Sequence, residues 1–104
     1  MPCRVVDFES LSWQQGGHPL EIKKKHPEAP LTLLEFAPGF EDPVPCSTGH
    51  AGLVLEGTLA FVLEDGTEVR VPQGGAFLLD PGTLHRARNP GKTAVRLFVY
   101  SFTS

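Results

Sequence analysis

Short alternations of apolar and polar residues, broken by turn formers at roughly ten-residue spacing, run along most of the chain. Leu20 to Lys25 sets Leu20 and Ile22 against Glu21, Lys23 and Lys25, the pattern of a half-exposed strand. Leu31 to Phe36 reads as a second strand, closed by Pro38-Gly39, and Phe40 to Gly49, with two prolines and no periodicity, reads as irregular. Leu53 to Leu55 and Thr58 to Leu63 follow, split by Gly57. Asp65-Gly66 is a two-residue hairpin signal leading into Thr67 to Val71, where Thr67, Val69 and Val71 oppose Glu68 and Arg70. Ala76 to Leu79 is apolar on both faces, Leu84 to Arg88 alternates again, and Ala94 to Phe102 is nearly all apolar. Near the start, the β-branched pair Val5-Val6 favours one more strand. With 11 Gly and 10 Pro, long helices have little room. The pattern predicts an all-β sandwich or barrel of eight or nine short strands.

A length of 104 residues suits one domain, and 40% hydrophobic with 20% charged residues is an ordinary globular composition. The formal net charge of −3 argues against a nucleic-acid groove or an anionic membrane surface, either of which wants a basic face. Lys23-Lys24-Lys25 reads as a solvated strand face. No apolar run approaches the ~20 residues that span a bilayer. The N-terminal stretch meets Asp7 without a secretory apolar region, so a cytoplasmic location is predicted. There Cys3 and Cys46 are expected as thiols, with a disulfide between them left open.

The candidate chemistry is sparse. In Leu84-His85-Arg86-Ala87-Arg88, period-2 alternation puts His85 and Ala87 on one face and both arginines on the other, so His85 points inward. His50 stands at the mouth of the Leu53-Val54-Leu55 strand, with Cys46 four residues earlier. A thiolate and two imidazoles suit zinc and related divalent metals. The bland alternative is a small buried thiol and a hydrogen-bonded core histidine. Glu35, Phe98 and Tyr100 are candidate pocket-lining residues. For the two aromatics the alternative is plain core packing, and for Glu35 it is an outward orientation. Glu41 and Asp42 read as solvated loop residues, Trp13 as an anchor for the N-terminal arm, and His18 and His26 as surface turn residues.

The spacing around these residues resembles the cupin superfamily. Gly74, Asp80 at a position usually held by Pro, Gly82, His85 and Asn89 follow the second cupin motif, with Pro81 adjacent. Anchored on Gly57, the first motif places His50 at the Glu position, Cys46 at the second His position and Val44 at the first. Gly39 lies one residue too close to match its place fully. The resemblance implies a small antiparallel β-barrel, a cupin or double-stranded β-helix jelly roll, occupying 1–104. Residues 31–102 would form the core, and 1–30 edge strands or a dimer arm of a homodimer. It implies a divalent metal on Cys46, His50 and His85, zinc first and iron, nickel or copper as alternatives. Val44 cannot ligate, so at least one coordination position stays open, as in catalytic rather than structural centres. A thiolate and two neutral imidazoles leave +1 on the centre, which would attract a small carboxylate, enolate or hydroxide. Three functions follow from this: a metal-dependent enzyme on a small anionic molecule, a barrel that binds or senses a ligand without turnover, and a metal-free barrel.

Overall fold

The computed structural model describes residues 3–102. Met1 and Pro2, where the N-terminal reading and the predicted domain begin, and Thr103 and Ser104, where the domain ends, lie outside the described residues. Among the described residues a 3-10 turn at Phe8–Ser10 precedes nine strands. These are β1 (Gln14–Gln15), β2 (Glu21–Lys25), β3 (Leu31–Phe36), β4 (Gly49–Glu56), β5 (Leu59–Leu63), β6 (Glu68–Val71), β7 (Ala76–Leu79), β8 (His85–Arg88) and β9 (Val95–Phe102). All named pairings are antiparallel. The strands form two sheets across one core in a jelly-roll arrangement, ordered β1-β2-β3-β9-β4-β7 and β6-β5-β8, rather than one continuously closed ladder. Among the described residues no helix is long and apolar enough to cross a membrane.

Alternation decides which side chains reach the core. Along β9, Val95, Leu97 and Val99 are buried while Arg96, Phe98 and Tyr100 face the other way. Opposite them, Phe36 pairs with Val95 and Leu34 with Leu97, so both join the inner face. Phe36 stacks on Phe40 with centroids 3.9 Å apart. Asn89, buried on the turn after β8, ties the elements together: its Nδ2 donates to the carbonyls of Phe36 and Thr93, and its Oδ1 accepts from the Gly91 amide.

The segment 40–46 lies irregularly along the outer edge of β8. The Asn89 amide donates to the Phe40 carbonyl and the Asp42 amide to the Ala87 carbonyl, and Cys46 and His85 exchange both backbone bonds. Between these ties, Pro43-Val44-Pro45 interrupts the ladder, since neither proline has an N–H to give. The Ala87 amide is instead satisfied by the Asp42 carboxylate, Oδ2 at 2.8 Å.

The N-terminal segment departs from expectation. Val5-Val6 lies outside every strand, and Val5 is exposed; β propensity has no effect where no sheet edge is offered to pair with. Instead the segment lies over the outer face of the larger sheet. Phe8 packs edge-on to Phe98, and the Phe8 carbonyl accepts from Lys24 Nζ. Trp13 lies beneath Lys24 and Arg96, within 5.0 and 5.4 Å of its ring centre, so it anchors this arm. β2 pairs with β3 and β1 with β2, so β1 ends the larger sheet on this side.

Candidate metal centre

His85 opens β8 with its side chain on the buried face beside Ala87, while Arg86 is exposed and Arg88 half-exposed. The backbone bridge to Cys46 sets that residue directly opposite, and directly opposed residues share a face. His50 lies across the core on β4, opposite Ser101 of β9 and Leu79 of β7. Three segments distant in sequence therefore converge: one donor atom from each of Cys46, His50 and His85 lies within 4.8 Å of the other two.

Hydrogen bonds fix how these donors face. His85 Nδ1 lies 2.9 Å from the Thr83 carbonyl, which only accepts, so the proton sits on Nδ1 and the lone pair of the neutral ring on Nε2. His50 Nδ1 is hydrogen-bonded to Ser101 Oγ at 3.0 Å, and its Nε2 faces Cys46 Sγ at 4.0 Å. The Thr48 amide donates to the same sulfur at 3.4 Å. The rings of His50 and His85 meet edge to face, with centroids 5.4 Å apart. Burial, and then the neighbouring charge of His85, hold His50 below the ordinary imidazole range and so in the neutral form that a metal requires. Tetrahedral zinc with bonds of roughly 2.0–2.3 Å holds its donors somewhat closer than these atoms lie. The donor chemistry fits the ion.

The three donors open onto a cavity of about 430 Å³. Leu34, Phe36, Phe61, Phe77, Leu97 and Val99 form its body, and Pro43, Val44 and Pro45 stand on its exposed rim. Gly52 makes room for the Phe77 ring: a Cβ there would come within 2.5 Å of Phe77 Cζ.

Glu35, Phe98 and Tyr100 do not line this cavity, which corrects the sequence reading. All three lie on the outer face of the larger sheet, because the inward set on β3 and β9 is the alternate one. Glu35 pairs with Arg96 at 2.8 Å, Phe98 is under Phe8, and Tyr100 is exposed. Cys3 and Cys46 are both free thiols.

Two carboxylates that read as solvated belong to the wall instead, Glu21 and Asp42. On β2 the alternation is as expected but its direction is reversed. Ile22 sits opposite Glu35 on the outer face, and Glu21 sits opposite Phe36 on the inner one. Burial pushes both carboxyls above the usual carboxylate range. Glu21 is raised further by the charge of Asp42, while the Gly17 and Ala87 amides respectively pull the two back down. His18 is also no plain surface residue: its ring packs against Phe40 at 5.0 Å.

A family model described as "Cupin domain" matches residues 32–101. Among solved structures, the cupin domain of Cnp3 from Schizosaccharomyces pombe is 25% identical, with a TM-score of 0.73 over 94% of this chain and 72% of that one. The polyketide cyclase RemF from Streptomyces resistomycificus is 22% identical, with a TM-score of 0.77 over 95% of this chain and 78% of that one. A cupin-superfamily sugar phosphate isomerase from Silicibacter pomeroyi is 15% identical, with a TM-score of 0.76 over 97% and 76%. No curated protein matches the chain significantly.

Proposed function

The chain belongs to the cupin domain family, and from that footing we propose that it is a metal-binding cupin acting on a small anionic molecule, with Cys46, His50 and His85 holding a divalent ion. The observation that carries this reading is the meeting of three soft or borderline donors within 4.8 Å at the wall of a cavity. Zinc is the first choice for one thiolate and two imidazoles, ahead of iron, nickel and copper. Bound there, the ion would supply Lewis acidity or activate water or dioxygen. The chain's own part is to hold the donors: Thr83 sets the His85 tautomer, Ser101 orients His50, and the Thr48 amide steadies the sulfur. A barrel that binds a ligand without turnover uses the same site, and product formation separates the two.

Metal content tests the reading. Wild-type protein titrated with zinc, or with cobalt to expose a thiolate-to-metal absorption band, should take up one ion per chain. Cys46→Ala and His85→Ala should each lose uptake by about a hundredfold or more in affinity while remaining folded by circular dichroism. Unchanged uptake in either variant rules out the assignment.

The same reading includes a homodimer, with a second copy on the outer face of the larger sheet. Leu53, Leu78 and Tyr100 remain exposed there, neighbours by register through Ala51 and Phe98, and β7 is the terminal strand beside them. A second copy packed face to face about a twofold axis would cover these apolar side chains.

A further inference from the structure

The metal-binding reading leaves open which anion the cavity admits, and the remaining wall narrows it. Aliphatic and aromatic side chains (Leu34, Phe36, Phe61, Phe77, Leu97 and Val99) form the body of the cavity. Along that body a ligand hydroxyl finds no side-chain partner, and a polar group buried without one loses roughly tenfold or more in affinity. The wall becomes polar again at Asp42 and Glu21. Asp42 is anchored to the Ala87 amide, one inward position along β8 from His85, a step of roughly 7 Å at strand rise. Glu21 stands opposite Phe36, its Oε1 accepting from the Gly17 amide. The charged and titratable neighbours of the two carboxylates are His18, Lys23, Arg86 and His85, and neither carboxylate makes a salt bridge among the described residues. Each therefore has acceptor capacity left for a donor arriving from the cavity.

Building on the proposed metal site, we infer that the ligand is a ring carboxylate with a single hydrogen-bond donor, a hydroxyl or an amine, on the far side of the ring. Its carboxylate meets the cationic metal end, its ring lies among Phe36, Phe61 and Phe77, and its donor reaches Asp42 and Glu21. A sugar acid of the same size is excluded because its ring hydroxyls would face the apolar wall unpaired. A donor-free ring acid is admitted but leaves the two carboxylates without a partner.

Zinc-loaded full-length protein titrated calorimetrically with 4-hydroxybenzoate, benzoate and glucuronate tests this. The hydroxylated ring should bind about tenfold tighter than benzoate, and benzoate at least as much tighter than glucuronate. The double variant Glu21→Gln/Asp42→Asn keeps an acceptor for both backbone amides, so it should fold and take up zinc as the wild type does. With both charges gone, the charge-assisted acceptance of the ligand donor is lost, so the preference for the hydroxyl should fall several-fold. Glucuronate binding as tightly as 4-hydroxybenzoate, or a double variant that retains the full hydroxyl preference, overturns the inference with the metal site intact. Wild-type protein that takes up no zinc overturns the metal site and the carboxylate end of the ligand together.

Discussion

At the scale of single residues, environment and not residue type separates the carboxylates of this chain. Glu35 and Glu68 find arginines at 2.8–2.9 Å on half-exposed surfaces. Asp42 and Glu21 are turned into the cavity wall, where burial raises their proton affinity. A carboxyl whose folded pKa lies above its unfolded value costs stability when ionised. That cost disappears as pH falls through the raised folded value toward the ordinary 3.8 of Asp42. His50 has the opposite sign: its stability contribution is full above the ordinary 6.5 and is lost as pH falls toward its lowered value. Asp42→Asn keeps the acceptor for the Ala87 amide and removes only the charge. Its melting temperature should therefore exceed that of the wild type most at neutral pH, and the gap should close as pH falls toward the ordinary 3.8. A gap independent of pH would mean that Asp42 is ordinarily solvated. His85 was legible from its neighbours, because two arginines on the alternate positions leave only the interior for the imidazole. Glu21 was not, because alternation along β2 identifies two faces without saying which is inner.

Elements show how turns and interruptions position the donors. Gly57 links β4 to β5 with φ +78°, and a Cβ there would lie 2.8 Å from the Ala94 carbonyl oxygen. Left-handed backbone plus that contact should make Gly57→Ala cost about 2–4 kcal/mol in urea unfolding. A loss below about 0.5 kcal/mol would show that the link relaxes freely. The segment 40–46 is the less regular case: two prolines keep it from completing a strand along β8, and one side chain takes over a backbone acceptor. Its irregularity was readable from the prolines. Its pairing with β8, which brings Cys46 beside His85, was not, because no periodicity marks it.

For the whole molecule, the larger sheet is the informative part. Its inner face carries the core and the cavity, while its outer face is covered near Phe98 by the N-terminal arm and exposed at Leu78 (67%) and Tyr100 (43%). If a second copy covers the exposed part, sedimentation equilibrium should give twice the 11.3 kDa chain mass. Leu78→Asp should return the chain mass with the fold unchanged by circular dichroism, because that side chain is outside the core. Wild-type protein that sediments as a single chain at high micromolar concentration would count against the dimer.

Local pattern alone determined the all-β class, most strand positions, the place of the hairpin at Asp65-Gly66 (whose loop has three residues, 64–66, rather than two) and the inward aim of His85, because turn chemistry and period-2 alternation act between near neighbours. The family resemblance rested on the same short-range spacing of glycines, His85 and Asn89. Only the tertiary structure decided that β9 lies between β3 and β4, that Glu35, Phe98 and Tyr100 face away from the cavity, and that Glu21 and Asp42 line it. Those outcomes depend on which sheet face closes over the core. Pairing between segments distant in the chain sets that choice, and alternation within one strand is blind to it.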